Sequence, residues 1–178
     1  MQLVGSFALL LMSGLLLLSS RPGGSWSGVA SARFAAALIM LIQALLSLIP
    51  VALPYAVTLL VQQLSLYAAL PLLICTLITA AVGLHWSRLI WGRVLLALCV
   101  VFEIARRMNE LHNWMLIALA GAFIAAVLTI TSNKKYAAPA ILSWAALIFW
   151  FYQTGLAHHD LNLWLAATIV PSLYFHRA

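Results

Sequence analysis

The sequence predicts an all-α, polytopic transmembrane helical bundle, and three observations carry that expectation. Of 178 residues, 66% are apolar and only 7% charged, against about 25% charged in an ordinary soluble domain. The mean hydropathy is +1.11. The few charges fall in short clusters separated by apolar runs of roughly 20 residues, the length that crosses a bilayer as a helix. A soluble chain of this size has too much surface for its volume to hide so many apolar side chains. The expectation is a single integral membrane domain over residues 1–178, with about seven spans and no soluble domain at either end.

The first span is expected over 3–19, uncharged and rich in leucine. A secretory signal peptide competes with it, because small residues at Ala30 and Ala32 could form a cleavage site. No Lys or Arg precedes the apolar run, however, and Arg21, Pro22, Gly23 and Gly24 separate it from that site, so a retained helix is the better reading. Removal of that helix would leave about six spans in the same orientation.

From Phe34 to Leu84 the chain carries no charge, which is too long for one span and suits two. Gln62, Gln63 and Ser65 are its most polar spot, so the turn is expected there, with spans over 34–60 and 66–84. Pro50 and Pro54 then fall inside the second span and predict a kink or break; a turn at those prolines is the competing boundary. The fourth span is expected over 89–106 and the fifth over 114–131. The sixth, 139–156, begins on Pro139, where a missing N–H is harmless. The seventh, 161–175, is short and carries Pro171. Trp86, Trp91, Trp114, Trp164 and Tyr174 lie near span ends, the headgroup level that amphipathic rings prefer.

The basic residues then orient the chain. An N-terminus outside and a C-terminus in the cytoplasm put Arg21, Arg33, Arg88, Arg93, Lys134, Lys135 and Arg177 inside, leaving Arg106 and Arg107 outside. That is the direction the positive-inside tendency favours, and it points to a bacterial inner membrane. The same distribution disposes of a nucleic-acid partner. The net charge is +6, yet the cations make no continuous stripe and no groove-binding module follows them.

In this orientation all the carboxylates, Glu103, Glu110 and Asp160, lie on the outer side with His112, His158 and His159. If the fourth helix continues through the polar stretch, Glu103, Arg106, Arg107 and Glu110 share one face at helical offsets. They are then either mutually neutralising pairs, Glu103 with Arg107 and Arg106 with Glu110, or a polar vestibule that attracts an anion and relays protons. His158, His159 and Asp160 form a tight turn which, with Glu110 and His112, offers groups of the kind that zinc, manganese or iron accepts. Their spacing is no known ligand pattern, and neither a metal nor another cofactor is expected. His85 and His176 read as loop and tail residues on the inner side, so haem is not expected either.

Cys75 and Cys99 fall at similar depth on an antiparallel third and fourth span and read as small hydrophobes. Ala118, Gly121, Ala122, Ala125 and Ala126 make a small-residue face on the fifth span for close helix approach. Gln43, Thr58 and Ser143 can bond across helices. No phosphate-binding glycine loop, GxSxG or HExxH occurs. The expected role is therefore a small non-catalytic accessory or subunit of a membrane complex. Its partners would be lipid and other membrane proteins or a second copy. The alternatives are a small transporter or channel using the Glu103/Arg107/Glu110 face, and an intramembrane enzyme with an outer-side His/carboxylate site.

Overall fold

The structure is a computed structural model and describes residues 2–21, 27–49, 54–132 and 161–174. The described residues form helices and no strand: α1 (Gln2–Ser19), α2 (Gly28–Leu48), α3 (Tyr55–Val82), α4 (Arg88–Arg107), α5 (Leu111–Ser132) and α6 (Leu161–Tyr174). Three stretches, Gly28–Leu48, Tyr55–Val82 and Leu111–Leu128, are long and apolar enough to cross a membrane, while Leu3–Ser19 and Leu161–Leu173 are shorter apolar helices. The all-α bundle is thus as the composition predicts. The expected sixth span, 139–156, lies outside the described residues.

The boundary between the second and third spans differs from the expected one. The chain leaves α2 at Ile49 and re-enters helix at Tyr55, so the turn sits at the prolines. The reason is steric. A residue before proline is pushed out of the α region, and Ile49, which precedes Pro50, is extended at φ −93° and ψ 121°. Pro54 then stands at the N-cap of α3, the end of a helix where proline is tolerated. Gln62, Gln63 and Ser65 instead lie within α3, whose 28 residues make a helix about 42 Å long. The start of α2 also differs. Ser27 caps the helix by accepting a hydrogen bond from the Ala30 amide, so α2 begins six residues earlier than Phe34 and contains Arg33.

Inside α3, Ser65–Ala69 forms a π-helical turn, with the Leu70 amide donating back to the Ser65 carbonyl. Pro71 explains it. In an α-helix the N–H of residue 71 would meet the carbonyl of Tyr67, but proline has no N–H and its ring crowds that carbonyl. The Tyr67 carbonyl accepts the indole N–H of Trp114 on α5 at 2.9 Å. The Tyr67 ring stacks on Phe102 of α4, with centroids 6.0 Å apart and planes at 11°. One irregular turn therefore ties α3 to both helices of the α4–α5 hairpin.

Close approach elsewhere relies on small residues. The inward face of α1 carries Gly5, Ser6, Leu9, Ser13 and Leu16, all buried, and Ser20 just past its end is buried too. A Cβ at Gly5 would lie 3.0 Å from the Leu163 amide nitrogen, so the starts of α1 and α6 nearly touch. At the other end of the bundle, a Cβ at Gly28 would overlap the Trp86 carbonyl and come within 2.7 Å of Trp91 Cδ1. The small-residue face of α5 packs as its sequence predicts: Ala118, Ala122, Ala125 and Ala126 are buried, and Gly121 faces Ile74 of α3. The buried hydroxyls of Ser13, Thr76, Thr79 and Thr168 donate to carbonyls three or four residues earlier in their own helices, so they enter the core without demanding a partner helix.

Two outcomes follow from these contacts. Gly28→Ala lowers the stability of the detergent-solubilised protein by about 1–3 kcal/mol, the cost of overpacking a tight contact, as read by reversible unfolding in denaturing detergent. Trp114→Phe strips a donor from the Tyr67 carbonyl and costs about 1–3 kcal/mol. In a Pro71→Ala background, where a backbone N–H returns, the same substitution costs less, and a double-mutant cycle measures the difference.

Candidate functional site

The polar stretch 103–113 is divided by a helix end. α4 stops at Arg107, because Asn109 takes the left-handed conformation at φ 59°, which asparagine tolerates better than most residues. The Asn109 amide donates to the Arg106 carbonyl and the Glu110 amide to that of Ala105, at 3.3 and 2.8 Å, the paired bonds of a glycine-type helix stop. The signal was present in the sequence: two arginines in the last turn followed by an asparagine. α3 ends in the same manner at Gly83, with φ 72° and a Leu84 amide bond to Thr79.

The single face expected to hold Glu103, Arg106, Arg107 and Glu110 is consequently not formed. Glu103 accepts from Arg106 through both carboxylate oxygens, at 2.9 and 3.0 Å, and from Arg107 Nε at 2.8 Å. The expected Glu103–Arg107 pair is present, whereas Glu110 lies beyond the helix and accepts from Asn113 instead of Arg106. His112 stands exposed in the first turn of α5. His158, His159 and Asp160 lie outside the described residues. Among the described residues no three His, Cys, Asp or Glu side chains converge to hold a metal, and Cys75 and Cys99 are free thiols, each half-buried. The charged cluster thus satisfies itself: a carboxylate held by two guanidinium groups of its own helix has little left to offer a ligand.

A second polar site forms where α1 and α6 begin, α2 ends and α3 begins. The Gln43 amide donates to Asn162 Oδ1 at 2.9 Å, and Asn162 Nδ2 donates to Ser6 Oγ at 2.8 Å. This chain of side chains joins α2, α6 and α1, so Gln43 bonds across helices as the sequence predicts. Thr58 does not: its hydroxyl donates to the Tyr55 carbonyl in its own helix. Ser143 lies outside the described residues. Beside the chain is a cavity of about 400 Å³, walled by Ser6, Gln43, Ser47, Thr58, Gln62 and Asn162 together with Tyr55 and the apolar Leu46, Val61 and Leu161. Among the described residues no ionisable acid or base lines it apart from the Tyr55 phenol.

Gln43 is 5% exposed, and its Oε1 has no hydrogen-bond partner among the described residues. A buried carbonyl without a donor is costly and rare in folded proteins. The sequence reading found Gln43 but missed Asn162, Ser6 and Gln62 as its company. These residues come together only because α2 ends at Ile49 and α3 begins at Tyr55, so that Gln62 lies inside a helix and not at a turn. Arg33, expected in an inner loop, is likewise buried in α2 at 5% exposure, with Nε unpartnered among the described residues.

The division between the two polar regions has a direct readout. Glu103→Gln abolishes any stability difference between Arg106 and Gln at position 106, whereas Glu110→Gln leaves that difference intact; thermal unfolding of the six proteins, each of the three backgrounds with Arg or Gln at 106, in one detergent checks it. No protein-family model matches this chain, and neither a curated protein nor a solved structure is similar to it.

Proposed function

We propose that this chain is a small, non-catalytic, multi-span component of a bacterial inner-membrane complex, docked to its partner through the outer face of α4. One observation carries the reading. Leu89, Arg93, Leu96, Val100, Glu103 and Arg107 follow each other at offsets of four and three, the spacing of a helix–helix seam. All of them face away from the core, and Glu103 is the most sheltered of the row. The opposite side of α4 buries Trp91, Phe102 and Ala105. Lipid alone would accept the Leu and Val of this row, but Arg93, set among them and apart from the Glu103–Arg107 pair, calls for acceptors that a partner helix can supply. The positions of the basic residues support an N-terminus outside and a C-terminus in the cytoplasm.

A second reading, a small transporter, is favoured by a different observation: the helix break between α2 and α3 borders the polar cavity. Transporters place substrate sites at such interruptions. The cavity would then replace the Glu103/Arg107/Glu110 face as the route.

Gentle-detergent purification from the native membrane, with co-purifying chains identified by mass spectrometry, decides between these readings. The docked component yields a stoichiometric partner, or a second copy. Recovery of that partner falls about tenfold in Leu96→Ala/Val100→Ala, the loss expected from trimming two large interface side chains, while the thermal midpoint stays put. A homogeneous single chain with no partner overturns docking and moves the question to solute flux in proteoliposomes.

A further inference from the structure

We infer that the cavity between Gln43 and Gln62 is a binding site for an uncharged polyhydroxyl group, of the size of a hexose or a glycerol headgroup. This inference stands on the cavity alone and is independent of docking through α4.

The chemistry of the wall selects the ligand. Gln43 has committed one amide N–H to Asn162, and its Oε1 is an acceptor without a donor among the described residues. Ser47 has spent its hydroxyl proton on the Gln43 backbone carbonyl and Thr58 its own on Tyr55, so both offer lone pairs. Asn162 has committed its Oδ1 to Gln43 and one N–H to Ser6, leaving it the second N–H as a donor. The Gln62 amide, with both donors and an acceptor, stands on the α3 side. A ligand that fits must therefore present several donors and also accept at a few points.

Charge narrows the choice. An ammonium group would satisfy the acceptors but would find no carboxylate among the described residues of this wall. A phosphate would find no Lys or Arg among those described residues. A set of neighbouring hydroxyls meets both demands, because each is donor and acceptor at once. Leu46, Val61 and Leu161 supply the apolar wall against which the C–H face of a sugar ring packs. The volume, about 400 Å³, is at the small end of ligand sites, which run from roughly 300 to 1,000 Å³.

Such hydroxyls can arrive on a lipid headgroup or on a free solute, and the two sources separate experimentally. The full chain is reconstituted in phosphatidylcholine nanodiscs and given either a glucosyl diacylglycerol, with retention read by native mass spectrometry against plain diacylglycerol, or methyl β-glucoside, followed by saturation-transfer NMR. The expected result is saturable binding of at least one, weakened about tenfold or more by Gln43→Leu and by Gln62→Leu, the usual effect of deleting a buried hydrogen-bonding partner. Glycolipid binding without methyl glucoside binding assigns the site to a lipid headgroup; binding of methyl glucoside assigns it to a solute. No saturable binding of either by the wild-type chain overturns the inference and leaves the cavity to water. Wild-type affinity in both variants overturns it equally. Should Gln43→Leu fail to fold, Gln62→Leu decides alone, since Gln62 is only half-buried on the face of α3.

Discussion

A chain this apolar has few partners to offer its own backbone, and every peptide group at membrane depth needs one. That constraint explains why the prolines govern the architecture. Pro71 deletes the donor that the Tyr67 carbonyl would have used; the helix widens into a π-turn, and Trp114 crosses from α5 to replace the missing bond. The repair adds a tertiary contact, so the flaw in α3 is also what registers α3 against the α4–α5 hairpin. Before Pro50 the α2 helix ends on an extended Ile49, and helix resumes only at Tyr55, after Pro54. At Gly83 and Asn109 the last carbonyls of α3 and α4 are met by amides folded back through a left-handed residue. The helix stops thus satisfy the same demand by a local route.

Small residues determine how closely the remaining helices can meet. Without a hydrophobic drive between helices in lipid, association depends on packing and on a few interhelical hydrogen bonds. Gly5 lets α6 approach α1 until backbone lies against backbone, and only at that separation can the short side chains of Ser6 and Asn162 reach one another. Gly28 does the same for the Trp86–Trp91 pair, whose rings lie 5.5 Å apart. The bulky apolar side chains of α1, among them Leu3, Val4, Phe7, Leu11 and Leu15, are turned outward, an arrangement suited to lipid and opposite to that of a soluble core.

Composition and charge spacing made the helical class legible, as well as the extents of α1, α4, α5 and α6 to within a few residues. They failed between residues 34 and 84 for an identifiable reason. Two turn signals competed there, a polar cluster at Gln62–Ser65 and a proline pair at Pro50 and Pro54. Glutamine and serine fit a helix that lines a cavity, while proline and the residue before it do not fit a helix interior. Arg33 was misplaced by the related assumption that a cation near a span end lies in a loop. A capping serine upstream, at position 27, was the better marker of where α2 begins. The Tyr67–Trp114 bond had a partial signal in Pro71, but its partner lies 47 residues away and no local pattern could name it.

The two polar regions differ in what they have left to give. Charge drew the sequence reading to Glu103, because an ionised group near a membrane is costly and invites a functional explanation. Yet Glu103 has two guanidinium partners one helical turn away, and its cost is already met by its neighbours. Gln43 carries no charge and attracts no such attention from sequence, but one of its two polar ends is unmatched among the described residues in a nearly closed environment. Potential for recognition lies in unspent hydrogen-bonding capacity that the fold holds in place, not in formal charge. By that measure the neutral cavity at the broken end of α2, and not the charged end of α4, is where this bundle has kept chemistry available for something other than itself.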